Sequence, residues 1–265
     1  MPPSAASTGR HARTSPPVLT TPRPVWSGPF VVVDLETAPD RHAQILARRQ
    51  RGVPKGSPLH EIVAASALTF HEHDGVFGGF RLRSWHRDDY LETDIISNVE
   101  AELDRVAGEG TLITFNGSGH DLPTLRMRQL RWRMVGDDAI VRIGARGDAH
   151  VDVMLELSLG GEGRWPSLND GCAAVGISLS GPIPVGRDTL IPLEIQKCER
   201  DVVGTAMLFM HLLAAQRRSA ATLGAGLPAL GAFLRQIATG RPHLERLALS
   251  RQLDVGSAAW GATSS

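Results

Sequence analysis

Two carboxylates one residue apart, Asp34 and Glu36, close the apolar run Phe30-Val-Val-Val33. Side chains at i and i+2 of a strand share a face, about 6–7 Å apart at the usual rise per residue. Like charges held that close at the end of an apolar strand repel one another and need a cation. The separation suits a pair of divalent ions about 4 Å apart, the arrangement used for two-metal phosphoryl transfer. An isolated Asp-x-Glu is more often an ordinary solvated strand exit, so the weight comes from two further acids. Asp121 follows Asn116-Gly-Ser-Gly-His120 and precedes Pro123, at a predicted helix start. Asp201 closes Lys197-Cys-Glu-Arg-Asp201 on a long predicted helix that is apolar nearly all round from Val202 to Leu213. A carboxylate there is costly unless it is paired or metal-bound.

The elements that must position these groups follow from pattern and punctuation. Phe30–Val33, with three β-branched residues, predicts a buried central strand. A helical piece is expected near 41–51, then an irregular loop with Pro54 and Pro58; its basic run, Arg48, Arg49, Arg51 and Lys55, is either a solvated face or a hold on a phosphate backbone. Ile62–Phe70 and Val76–Trp85 flank an Asp74-Gly75 turn and predict a hairpin. Residues 88–107 carry Leu91, Ile95, Ile96, Val99 and Leu103 at helical spacing, and Thr111–Phe115 is a second short apolar strand, parallel to the first. Ligands in open α/β sheets gather where such strand ends meet, which puts Asp121 beside Asp34 and Glu36. The helix after Asp121, through about Met134, carries Arg126, Arg128, Arg131 and Arg133, either a solvated face or a phosphate contact. A third strand is expected at Ala149–Leu155, with His150 and Asp152, and Ser167 is the predicted cap of a short helix. Residues 178–190 read as a flap or a plain connection. The long helix runs from about Pro192 to Arg217, followed by helices at 227–239 and 242–252, with Gly224, Gly226, Pro228 and Pro242 as separators.

The chain has 265 residues, 42% of them hydrophobic and 21% charged, enough for one large domain or two small ones. Lys plus Arg equals Asp plus Glu at 28 each, so any hold on nucleic acid must come from local clusters rather than a global field. Two cysteines, Cys172 and Cys198, are too few for a disulfide framework and suit a reducing, cytoplasmic setting. No apolar run reaches membrane-spanning length. The expected organisation is a disordered tail over 1–27, a main domain over 28–220, a helical extension over 221–253 and a second disordered tail over 254–265.

Taken together, Asp34-Leu-Glu-Thr37, Phe115-Asn-Gly…Asp121-Leu-Pro123 and Cys198-Glu-Arg-Asp-Val202 resemble the DnaQ-like (DEDD) 3′–5′ exonucleases. Within them the chain is most similar to the predicted exonucleases related to the proofreading domain of family-B DNA polymerases; His150-Val-Asp-Val-Met and Ser167-Leu share in the likeness, which covers about residues 30–217. The resemblance implies an α/β, ribonuclease-H-like fold with a five-stranded mixed sheet flanked by helices, to which the C-terminal helices are additional. It implies two Mg²⁺ or Mn²⁺ ions on Asp34, Glu36, Asp121 and Asp201, and hydrolysis at nucleic-acid 3′ ends, single-stranded DNA being the expected substrate. By the same resemblance Thr37 and Asn116 hold the terminal nucleotide. His120 and Arg126 join them as candidate substrate contacts.

Two departures from the family bear on activity. The family orients its attacking water with a tyrosine four residues before the last aspartate or a histidine five before it; here those positions are Lys197 and Gln196. Lys197 shares a helix face with Asp201, where a charged ammonium competes with metal for the aspartate, whereas a neutral amine orients or deprotonates the water. His120 stands where the family has phenylalanine, as a water partner, an extra ligand or a loop histidine. The alternative to an exonuclease is therefore a nuclease-fold module that binds nucleic acid or regulates a partner but cuts poorly. A third reading, a helper docking on a larger complex through its C-terminal helices, predicts an exposed apolar patch around 227–250.

Overall fold

Strand β1 (Phe30–Pro39) is the one on which the rest are laid: Phe30 to Val33 are at most 3% exposed, with neighbours on both sides. The computed structural model describes residues 26, 28–47, 58–134, 136, 138–159, 166–179, 191–250 and 253. The expected tails (but for Trp26), the basic run Arg48 to Lys55, and nearly all of the 178–190 connection lie outside them. The helical piece near 41–51 is described as α1 (Arg41–Leu46).

Strands β2 (His60–His73) and β3 (Val76–His86) form the predicted hairpin, Asp74 and Gly75 supplying the positive φ of its turn. After α2 (Glu92–Ala107) comes β4 (Thr111–Thr114), which pairs with β1 in parallel, and later β5 (His150–Asp152), parallel to β4. The order β3-β2-β1-β4-β5, with β1 antiparallel to β2 and β2 to β3, is the ribonuclease-H-like topology in an α/β domain. Helices α3 (Asp121–Arg131), α4 (Ala139–Ala145), α5 (Val153–Leu157) and α6 (Leu168–Ala174) fill the connections; α7 (Leu193–Arg217), α8 (Ala220–Ile237) and α9 (Pro242–Ala248) complete the chain.

Alternation along β1 divides the core. Val31, Val33 and Leu35 pack with the α2 residues Ile95, Ile96, Val99 and Leu103, whereas Phe30 and Val32 pack with the α7 residues Val202, Met207 and Phe209. With period two, Asp34 and Glu36 therefore emerge on the α7 side.

Several elements differ from the sequence pattern. The third strand stops at Asp152, and Val153–Leu157, expected as its continuation, winds into α5. Helix α4 falls where the sequence pattern predicts no element. Gly224, Gly226 and Pro228, taken as separators, lie inside α8. Leu223, Leu227, Leu230 and Leu234 bury one side of that helix, and this packing outweighs the hydrogen bond Pro228 removes. The same burial, extended by Leu244 and Leu247 of α9, leaves no exposed apolar patch of the kind the docking reading requires among the described residues of 227–250, where Leu249 is the exposed large apolar residue. No helix among the described residues is long and apolar enough to cross a membrane.

Candidate active site

Three segments deliver the acids. Along β1, pairing with β4 ends at Val32–Ile113, while β2 continues beside it to Pro39. Asp34 to Thr37 thus run past the end of β4, and the register with β2 shifts between Glu36 and Thr37, where Ala64 is followed in the ladder by Ile62. Such bulges re-aim side chains beside functional sites.

The turn after β4 fills the space this opens. Asn116 has a left-handed backbone (φ 62°). A Cβ on Gly117 would lie 2.2 Å from Thr114 Oγ1 and 2.4 Å from its Cβ, so this position requires glycine. Buried Asp152 at the end of β5 accepts the N–H groups of Asn116 (2.9 Å) and Ser118 (3.0 Å). Held this way, the turn places Asp121 in the first turn of α3, where an acid suits the helix dipole. Its carboxylate accepts the Leu35 N–H of β1 and meets His120 Nδ1 at 3.2 Å.

Helix α7 brings the third group. Lys197 Nζ hydrogen-bonds Glu36 Oε1, not Asp201 as the helix spacing suggested; Asp201 Oδ1 is taken by Arg200 Nε at 3.0 Å. Reach explains the exchange: the lysine stem extends from the helix to the neighbouring strand, leaving the adjacent arginine to the aspartate. Cys198, fully buried, donates its S–H to the Asp34 carboxylate. The donor atoms of Asp34, Glu36 and Cys198 lie within 4.8 Å of one another.

Electrostatics mark Asp34 as the centre. Burial, then the charges of Asp121, Asp201 and Glu36, push its carboxyl well above the usual range, against the lowering effect of Cys198. Its Oδ2 is shielded from solvent and has no hydrogen-bond partner. Burial also raises Asp121 and Asp201. It raises Cys198 well above an ordinary thiol, so the sulfur stays protonated. Burial acts to lower Lys197, but contact with Glu36 and the charges of Asp34 and Asp201 outweigh it and leave the amine more basic than usual. His120 is raised by its bond to Asp121.

Asp34 to Thr37, Phe115, Asn116, His120, Asp121 and Lys197 line a cleft of about 140 Å³. Thr37 Oγ1 bonds His60 Nδ1 at 3.1 Å. That volume is below the roughly 300 Å³ at which ligand-sized pockets begin; it suits ions, waters and one phosphate group at a time. Arg126 is elsewhere, ion-paired with Asp138 in a cavity of about 570 Å³ among α2, α3 and α4 that shares no lining residue with the cleft.

Other groups supporting the site gave weaker signals in the sequence. Arg128, expected on a solvated or phosphate-facing side of its helix, is 2% exposed. Its guanidinium meets Glu92 through Nε (2.7 Å) and Nη2 (2.6 Å), and Asp40 Oδ2 through Nη1 (2.8 Å). Since Asp40 also caps α1, this cluster ties the exit of β1 to α2 and α3. Glu199, 2% exposed on α7, accepts from Ser84 (2.8 Å) and Arg241 (2.9 Å) and meets His243 Nε2 (2.7 Å), joining α9 to the helix that carries Asp201. The available signal for Arg128 was its place on the same α3 face as buried Thr124 and Leu125; Glu199 had only its position beside Cys198.

No protein-family model matches the chain, and no curated protein matches its sequence. The ribonuclease-H-like strand order and the cluster at Asp34 are thus the features from which function must be argued.

Proposed function

We propose that this chain is a metal-dependent phosphodiesterase of the DnaQ-like (DEDD) type that removes nucleotides from the 3′ ends of nucleic acid, single-stranded DNA foremost. The observation that carries this reading is Asp34 Oδ2, shielded and without a partner among Asp121, Asp201 and Glu36. A protein does not hold such a group without compensation, and a divalent cation is the simplest that four acids can take. Hard carboxylate oxygens favour Mg²⁺ or Mn²⁺. Asp34, Glu36, Asp121 and Asp201 would hold the metal; bound there, it would lower the pKa of a water and neutralise charge on the phosphate. Thr37 and Asn116, at the cleft, would orient the terminal nucleotide. His120 steadies the Asp121 carboxylate through Nδ1. Polarity and substrate rest on the motif resemblance, and the free, buried thiols of Cys172 and Cys198 accord with a cytoplasmic setting.

The Lys197–Glu36 contact favours a second reading, a nucleic-acid-binding or regulatory module whose cleavage is weakened because an ammonium holds one of the metal-binding acids. Digestion of 5′-labelled and 3′-labelled oligonucleotides with Mg²⁺ or Mn²⁺, beside Asp34→Ala, separates the two. The exonuclease loses the 3′ label first, shortens the 5′-labelled strand stepwise, and stops with the substitution. Binding without metal-dependent shortening supports the module instead, and loss from the 5′ end would sink the polarity.

A further inference from the structure

The charges around Asp34 do not match what a pair of divalent ions would need. Ionised, Asp34, Glu36, Asp121 and Asp201 bring four negative charges, but two of them already have cationic partners. Lys197 sits on Glu36, and Arg200 Nε lies 3.0 Å from Asp201 Oδ1. Asp121 is served by the Leu35 N–H and, at 3.2 Å, by His120 Nδ1. Of the four acids, Asp34 is the one with a solvent-shielded oxygen, Oδ2, that meets no donor. What remains open is a single oxygen, Asp34 Oδ2, to receive a cation.

Resting on the metal-dependent reading above, we propose that the site takes a single divalent cation, at Asp34 and Asp121, and that the Lys197 ammonium on Glu36 stands in for the second. The size of the cleft points the same way. Its volume of about 140 Å³ is well under the roughly 300 Å³ at which ligand-sized pockets begin. An octahedral Mg²⁺ with few protein ligands keeps several waters, and Lys197 lines the same small cleft that would have to hold them. Lys197 is held there by its contact with Glu36 and is carried on the 25-residue helix α7. A fixed ammonium at this position offers positive charge to a non-bridging phosphate oxygen, which makes Lys197 part of the binding machinery rather than a defect in it.

Mn²⁺ titration of the full-length chain, followed by the loss of the free-ion EPR signal and by calorimetry, tests the assignment. The expected result is one Mn²⁺ per wild-type chain without Mn–Mn coupling, none in Asp34→Asn, and two in Lys197→Met. Lys197→Gln serves as a second neutral variant, and metal-free melting curves check that each is folded. Two coupled ions in the wild type would overturn the single-ion assignment and leave the metal-dependent reading standing. One ion in both neutral variants would overturn the role of Lys197. No bound ion in the wild type would overturn both proposals.

Discussion

Asp34→Asn should make the metal-free protein more stable while removing its capacity for metal. The donor atoms of Asp34 and Glu36 lie within 4.8 Å, where two unit charges repel by about 3–4 kcal/mol at an effective dielectric constant of about 20. Protonation of Asp34 and the Lys197–Glu36 contact relieve part of this, leaving about 1–3 kcal/mol, the usual cost of a buried group without its partner. At about 2–4 °C per kcal/mol for a chain of this size, the variant should melt about 2–12 °C higher in EDTA at neutral pH. Burial, with Asp121, Asp201 and Glu36, raises the folded-state pKa of Asp34, so the folded chain binds that proton more tightly than the unfolded chain. Below the ordinary carboxylate range Asp34 is protonated in both states and costs nothing; as pH rises through the raised value its contribution to stability is lost. The gap between variant and wild type should therefore widen with pH. Mg²⁺ or Mn²⁺ should raise the melting temperature of the wild type and leave the variant unmoved. Differential scanning in EDTA from pH 4 to 8, repeated with metal, reads all of this. A variant that melts at or below the wild type at pH 7.5 without metal would refute the like-charge cage.

Three further expectations concern groups that brace the site and the fold around it. Arg128→Met leaves Asp40 and Glu92 without their shared cation and should cost about 3–5 kcal/mol in urea unfolding, because breaking a buried ion cluster strands its charges. Asp152→Ala removes the acceptor for two N–H groups in the turn before Asp121 and should cost about 1–3 kcal/mol, with faster amide hydrogen exchange at Asn116 and Ser118. Glu72 bonds Arg217 at 2.7 Å and the Gly75 N–H at 2.6 Å, and the arginine, ahead of the opposing effect of burial, holds its carboxyl below the usual value. That contribution is present above the unfolded carboxylate pKa and is lost as pH falls through the depressed one, so the stability gap between wild type and Glu72→Gln should close in acid; a constant gap would contradict it.

Much of the architecture was legible because it depends on local pattern. The apolar run before Asp34 could only be a central strand, the Asp74-Gly75 turn fixed the hairpin, and Ser167 capped its helix through Asp170. The nearness of Asp34, Glu36 and Cys198 was legible only as motif order, since no spacing rule sets tertiary distance. What escaped was decided by contacts distant in sequence. Pro228 sits in a helix because Leu227 and Leu230 are buried beside it. Val153–Leu157 has strand composition but follows an aspartate committed to capping the turn at Asn116. Arg128 looks like its solvated neighbours until Asp40 and Glu92, 88 and 36 residues away, are brought onto it. Lys197 reaches Glu36 rather than Asp201 because β1 and α7 are adjacent only in the folded chain.

The central claim is that acids from β1, α3 and α7 form one cation-binding centre around Asp34. Anomalous scattering from a crystal of the full chain soaked in Mn²⁺ tests it most directly. A peak bonded to Asp34 and Asp121, absent from Asp34→Asn crystals, is the predicted result. A peak elsewhere, or none at a concentration that saturates binding in solution, would contradict the account.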